Sequence, residues 1–141
     1  MELAEMKLKD LQPSQFYISE KKLRDIEAWL DPGDLSAFEP IPVKWLDGAP
    51  VMTDGHTRAV AALRAGLDAV PLVPEEDELG WDLYRACVAE CRARGVFSPA
   101  DLPGRIIPEA DYEEKWDRWC DALQAALERE SHPAGLEPPS R

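Results

Sequence analysis

Positive charge is in short supply in this chain. Its 16 lysines and arginines face 28 carboxylates, a net charge of −12, and no basic run is longer than the pair Lys21-Lys22. Polyanions and anionic bilayers are repelled by such a molecule, which argues against nucleic-acid and membrane partners. Cysteine is scarce too. Cys87, Cys91 and Cys120 are odd in number, and the first two stand one helical turn apart; that is no disulfide framework, and it fits a reducing, cytoplasmic setting. No apolar window reaches the roughly 18 residues that a membrane span needs, and Met1 to Glu5 show neither the basic start nor the apolar centre of a secretory signal. A Walker-type lysine loop, a dinucleotide glycine fingerprint and a His-Glu-x-x-His helix are all missing, so the commonest nucleotide and zinc-protease motifs are excluded.

What remains is ordinary globular material. The 141 residues are 45% apolar and 31% charged, enough of each to build one core and keep it in solution. Met6 and Leu8 alternate with polar neighbours across residues 5–11, which predicts a half-buried strand, and a loop with Pro13 follows to Ile18. Ser19 is placed to cap a helix to about Leu30, stopped by Pro32-Gly33. Residues 41–46 and 50–53 read as two strands joined at Asp47-Gly48, a pair suited to the positive φ of a hairpin turn. Residues 56–65 turn helical before Gly66, residues 69–73 form another strand, and residues 79–94 give a helix with Tyr84, Cys87, Val88 and Cys91 on one face. Ser98-Pro99 starts a short helical turn, and Pro108 opens a last amphipathic helix carrying Tyr112, Trp116, Trp119, Leu123 and Leu127. The Pro-rich segment 131–141 reads as a flexible tail.

The junction at residues 53–58 carries the chemistry. A strand runs into Asp54-Gly55-His56-Thr57-Arg58 and emerges as a helix. A helix start leaves backbone N–H groups unpaired and concentrates partial positive charge, so it attracts anions. Gly55 permits close backbone approach, Thr57 offers a hydroxyl, and Arg58 can grip phosphate oxygens in a bidentate way. Asp54 opposes a bare phosphate, unless it holds a divalent cation or accepts a substrate proton. His56 titrates near neutrality and suits proton transfer or a hydrogen bond to phosphate; the other histidine, His132, falls in the tail. The plainer reading is a capped turn, with Asp54 as the cap and Arg58 paired to a surface acid.

The order Pro40-Ile41-Pro42-Val43, hairpin, Asp54-Gly55-His56-Thr57-Arg58-Ala59-Val60-Ala61-Ala62, Gly66 and Val70-Pro71-Leu72-Val73 resembles the ParB/sulfiredoxin superfamily over residues 5–75. There a glycine and an arginine three apart bind nucleotide phosphates, and Gly55 and Arg58 match them. Sulfiredoxins set a reactive cysteine beside the histidine, whereas Gly55 and Thr57 stand there in this chain; partition proteins carry a Gly-Glu-Arg-Arg turn and a DNA-binding domain behind it. The Asp-Gly-His-Thr-Arg string is similar to that of the free serine kinases. The resemblance implies Asp54 and His56 as catalytic residues and Gly55, His56, Thr57 and Arg58 as the nucleotide site. It further implies ATP or ADP as cofactor, with CTP a further candidate, together with Mg²⁺ and a small hydroxyl substrate such as free L-serine. Those kinases also use a glutamate in the loop after the first strand, whereas residues 11–18 contain no carboxylate and Gln15 stands roughly at that place; Glu20 and Glu39 are the nearest acids in sequence. The alternative is a non-catalytic, nucleotide-responsive regulatory module.

The expected fold is α/β (α+β): a small mixed sheet flanked by helices, with residues 1–75 as the nucleotide-binding core, 76–130 as a helical extension packed on it and 131–141 as the tail. The aromatic stripe of the last helix also suits a homodimer contact. Glu75 to Glu78 read as solvated loop or a weak cation site, Cys87 and Cys91 as core packing, and the five tryptophans as core or interface, with Trp45 a conceivable base-stacking residue.

Overall fold

Strand and helix follow one another along residues 4–131, which the computed structural model describes. The first strand, β1 (Ala4–Lys7), is shorter than the alternation suggests, because Leu8–Asp10 winds into a single 3₁₀ turn that buries Leu8. After the loop, β2 (Ile18–Ser19) leads into α1 (Glu20–Glu27), whose cap is the Ser19 hydroxyl accepting from the Lys22 N–H; this helix stops at Glu27 rather than Leu30. Strands β3 (Ile41–Leu46) and β4 (Ala49–Met52) meet at Asp47 (φ 52°) and Gly48 (φ 83°), the left-handed pair of a tight hairpin. Then come α2 (His56–Arg64) and β5 (Ala69–Pro74).

Helix α3 (Trp81–Ala93) is followed by a 3₁₀ turn, Pro99–Asp101, capped reciprocally by Ser98 and Asp101. Strand β6 (Ile106–Ile107) precedes α4 (Glu109–Tyr112), a π-helical turn at Glu113–Asp117, and α5 (Arg118–Ser131). Pro108 sits just outside α4, at its cap, instead of in its first turn. Of the expected tail, residues 131–141, Ser131 is instead the last residue of α5, and residues 132–141 with His132 lie outside the described residues.

The principal sheet has the order β1-β5-β3-β4, with β1 antiparallel to β5, β5 parallel to β3, and β3 antiparallel to β4; β2 and β6 form a second, parallel pair. The mixed α+β class read from the sequence is the class of this structure.

Helix α2 lies between two cores. Ala59 and Ala62 face the sheet with Leu8, Leu11, Ile41, Val43 and Val70, while Val60 and Ala61 face Phe16, Ile18, Leu23, Cys91, Val96 and Leu102. A helix buried on both sides needs small residues to let its neighbours approach, and the Ala-Val-Ala-Ala run supplies them. Residues beyond Pro74 complete the second core: Trp116 and Trp119 meet the Phe16 ring edge-on, at centroid distances of 5.0 and 4.8 Å. Trp45 and Trp29 behave otherwise, with exposed indoles on the surface. Among the described residues no helix is long and apolar enough to cross a membrane.

Candidate functional site

The turn that leaves β4 is built around a backbone that only glycine adopts cheaply. Gly55 has φ 77° and ψ 18° and serves as the N-cap of α2 without a side chain to cap it. The Asp54 carboxylate accepts from the Gly55 N–H at 2.8 Å, which closes the turn but leaves the helix amides beyond it uncapped by Gly55. The first turn of α2 contains no acid; its one charged side chain is that of Arg58. A cation there runs against the helix dipole, so this helix start is positive twice over.

Arg58 folds back against the turn. A Cβ placed on Gly55 would lie 2.6 Å from Arg58 Nη2 and 2.9 Å from Ile41 Cδ1, so the missing side chain is the space in which the guanidinium rests. Its Nη1 donates to the Glu39 carbonyl (3.1 Å) and to Glu39 Oε2 (3.2 Å). The Arg58 side chain is only 14% exposed, whereas that of Glu39 is 82% exposed. The arginine is thus positioned by packing, and its acidic partner is held only by an exposed pair of small energetic weight.

His56 sits differently from what its titration range suggests. The residue is 4% exposed, and its Nε2 accepts from the Ser14 N–H at 2.9 Å. That bond fixes the ring proton on Nδ1. Burial pushes its pKa down to about 4, against the opposing pull of the Asp54 charge and with a smaller contribution from Arg58. The imidazole is neutral and ties down the loop after β1. This loop is buried, a state that costs free energy unless its polar groups are paired. Pairing is supplied by the Ser14 hydroxyl donating to Met52 O (2.6 Å) and by Gln12, whose amide donates to Pro13 O and Val96 O.

Cavities flank the turn on two sides. One is an open groove of about 420 Å³, lined by Asp54, Thr57 and Arg58 of the turn, Glu39, and Lys22, Asp25 and Ile26 of α1. The other, about 210 Å³, lies behind Thr53 and His56, against Tyr84 and Cys87 of α3, Trp116, and Cys120 of α5. Asp54, Thr57 and Arg58 therefore share the groove, while His56 faces the inner cavity.

The carboxylates sort accordingly. Glu39 reaches the site, whereas Glu20 pairs with Arg24 on the surface of α1. Gln15 donates to the Tyr17 carbonyl and to the Tyr112 hydroxyl, so it is occupied in joining the loop to α4. Glu75 accepts from the Thr53 hydroxyl at 2.7 Å, and the Tyr84 hydroxyl donates to Thr53 O, with its pKa raised by burial and then by the Asp54 charge. Among the described residues no three His, Cys, Asp or Glu side chains converge on a metal position. Magnesium needs no such cage, since phosphates and one or two carboxylates suffice, and Asp54, exposed at the groove, fits that requirement in kind.

Sequence reasoning missed Lys22, Asp25 and Ser14. The spacing of Lys22, Asp25 and Ile26 marks one face of α1, and this was readable; that the face overlooks the α2 start was not.

No family model matches the chain, and no curated protein matches it. Among solved structures it is similar to protein Atu1540 from Agrobacterium tumefaciens, with 16% identity over 77% of this chain and a TM-score of 0.45. A conserved hypothetical protein from Pyrococcus furiosus shows 18% identity over 55% of this chain and a TM-score of 0.40. The chain spans 63% of the first protein's length and 34% of the second's.

Proposed function

We propose that this chain binds a nucleotide, ATP or ADP, with its phosphates at the start of α2, and transfers a phosphoryl group to a small hydroxyl compound such as free L-serine. The observation that carries this reading is the uncapped α2 start with Arg58 seated against Gly55; Lys22 also lines the groove, its ammonium resting over the Tyr112 ring. Unpaired amides, a helix dipole and the Arg58 guanidinium at one opening favour a polyphosphate in a molecule whose net charge otherwise repels it. Thr57 supplies a hydroxyl donor at the same place.

The acceptor side is supported by the groove's mixed charge. Asp25, Glu39 and Asp54 stand beside Lys22 and Arg58, a combination suited to a zwitterion with both an ammonium and a carboxylate. Asp54, exposed at the lip, is the group placed to accept the proton of an attacking hydroxyl. Alternatively Asp54 would hold Mg²⁺, which when bound would neutralise phosphate charge there. His56 acts by holding the Ser14 loop rather than by moving protons, because its Nε2 is already bonded.

A second reading, a non-catalytic nucleotide-responsive module, is favoured by one observation: Gln15, in the loop where a carboxylate would serve as base, is bound to Tyr17 and Tyr112. Calorimetric titration with ATP, ADP and CTP plus Mg²⁺, run on wild type and Arg58→Ala, tests the common premise. A product assay with hydroxy amino acids, on wild type and Asp54→Asn, separates the two readings. Binding that Arg58→Ala abolishes, with phosphorylated product that Asp54→Asn abolishes, is the expected result. Binding without product favours the module, and no binding in wild type removes both.

A further inference from the structure

The inner cavity brings together two thiols that phosphate chemistry at the groove does not use. Cys87 lies on the buried side of α3 and Cys120 near the start of α5; both are free, both line the 210 Å³ cavity, and their helices pack directly on each other. The sequence places them 33 residues apart, and the fold brings both to the lining of one small cavity where α3 meets α5. The interaction between the two thiols lowers the pKa of Cys87, and together with burial it raises that of Cys120, so Cys87 is the readier thiolate. Cys91, one turn along α3, is fully buried in the second core, and burial raises its pKa to about 12. It is the inert member of the three.

We propose that Cys87 and Cys120 form a reversible intramolecular disulfide, an oxidation site that ties α5 to α3 across the inner cavity. The oxidant is a small hydroperoxide, hydrogen peroxide being the simplest, and the cavity is several times the volume of such a molecule. The Cys87 thiolate attacks one peroxide oxygen and the O–O bond breaks, which leaves a sulfenic acid on Cys87 and releases hydroxide. The Cys120 sulfur then attacks the Cys87 sulfur, its proton leaves with the sulfenic oxygen as water, and the S–S bond closes. In sum two thiols lose two electrons and two protons, and the peroxide becomes two waters. A dithiol reductant reverses the change by thiol–disulfide exchange.

The test uses the whole wild-type chain. After hydrogen peroxide treatment, the protein is denatured in N-ethylmaleimide to block remaining thiols and digested with trypsin. Cleavage at Arg85, Arg92, Arg118 and Arg129 yields 86–92 with Cys87 and Cys91, and 119–129 with Cys120. The expected product is 86–92 joined to 119–129 within one chain, with the maleimide on Cys91 by fragment sequencing and the link gone after dithiothreitol. Cys120→Ser, a change at a half-buried position, should leave no cross-linked peptide and a sulfenic acid trapped by dimedone on Cys87. Linkage through Cys91, bridges only between separate chains, or maleimide on all three cysteines would overturn the proposal.

Discussion

Acidification should destabilise this protein through His56. In the unfolded chain a histidine titrates near 6.5, whereas the buried ring of His56 is held down to about 4. The unfolded state therefore binds the proton first. The stabilisation from keeping this ring neutral is complete above pH 6.5, falls as pH drops from 6.5 towards 4, and falls no further below that. With about 1.4 kcal/mol per pKa unit, the total loss is about 3 kcal/mol, of which about 2 kcal/mol is gone by about pH 5. Such a loss is a large share of the ~5–15 kcal/mol that hold a domain of this size together.

The comparison that isolates the effect is wild type against His56→Gln, followed by urea unfolding between about pH 7.5 and about pH 5. Glutamine keeps an acceptor for the Ser14 N–H and has nothing to titrate. The variant should be the less stable protein at neutral pH, and the gap should shrink by about 2 kcal/mol at the acid end. Other titrating groups move both proteins alike and cancel. A gap that stays constant across this range would refute a neutral, buried His56.

Gly55→Ala forces a Cβ onto the Arg58 guanidinium and onto Ile41 at positive φ, and should cost about 1–3 kcal/mol in urea unfolding while weakening nucleotide binding. Glu39→Gln frees Arg58 from an exposed partner; stability should change by no more than about 0.5 kcal/mol, and calorimetry should show tighter nucleotide binding. Phe16→Ala empties the ring packed between Trp116, Trp119 and the Arg94 guanidinium, and should lower stability by about 3–5 kcal/mol on denaturant titration.

Local physics wrote much of this molecule into its sequence. The Asp47-Gly48 hairpin, the Ser19 cap, the Ser98 capping turn and the passage from β4 through Gly55 into α2 all depend on residues within a few positions of one another, and all are legible there. So was the gathering of Asp54, Thr57 and Arg58 at one helix start. What the sequence could not say was which distant groups meet that start. Whether His56 is a proton carrier or a buried strut turns on Ser14, 42 positions away; whether Arg58 stands alone turns on Glu39 and on the face of α1 that carries Lys22; whether Cys87 has a partner turns on α5. Propensity and spacing act along the chain, but burial and charge act through space. The environment that sets a side chain's chemistry is thus decided only when sheet and helices close around it.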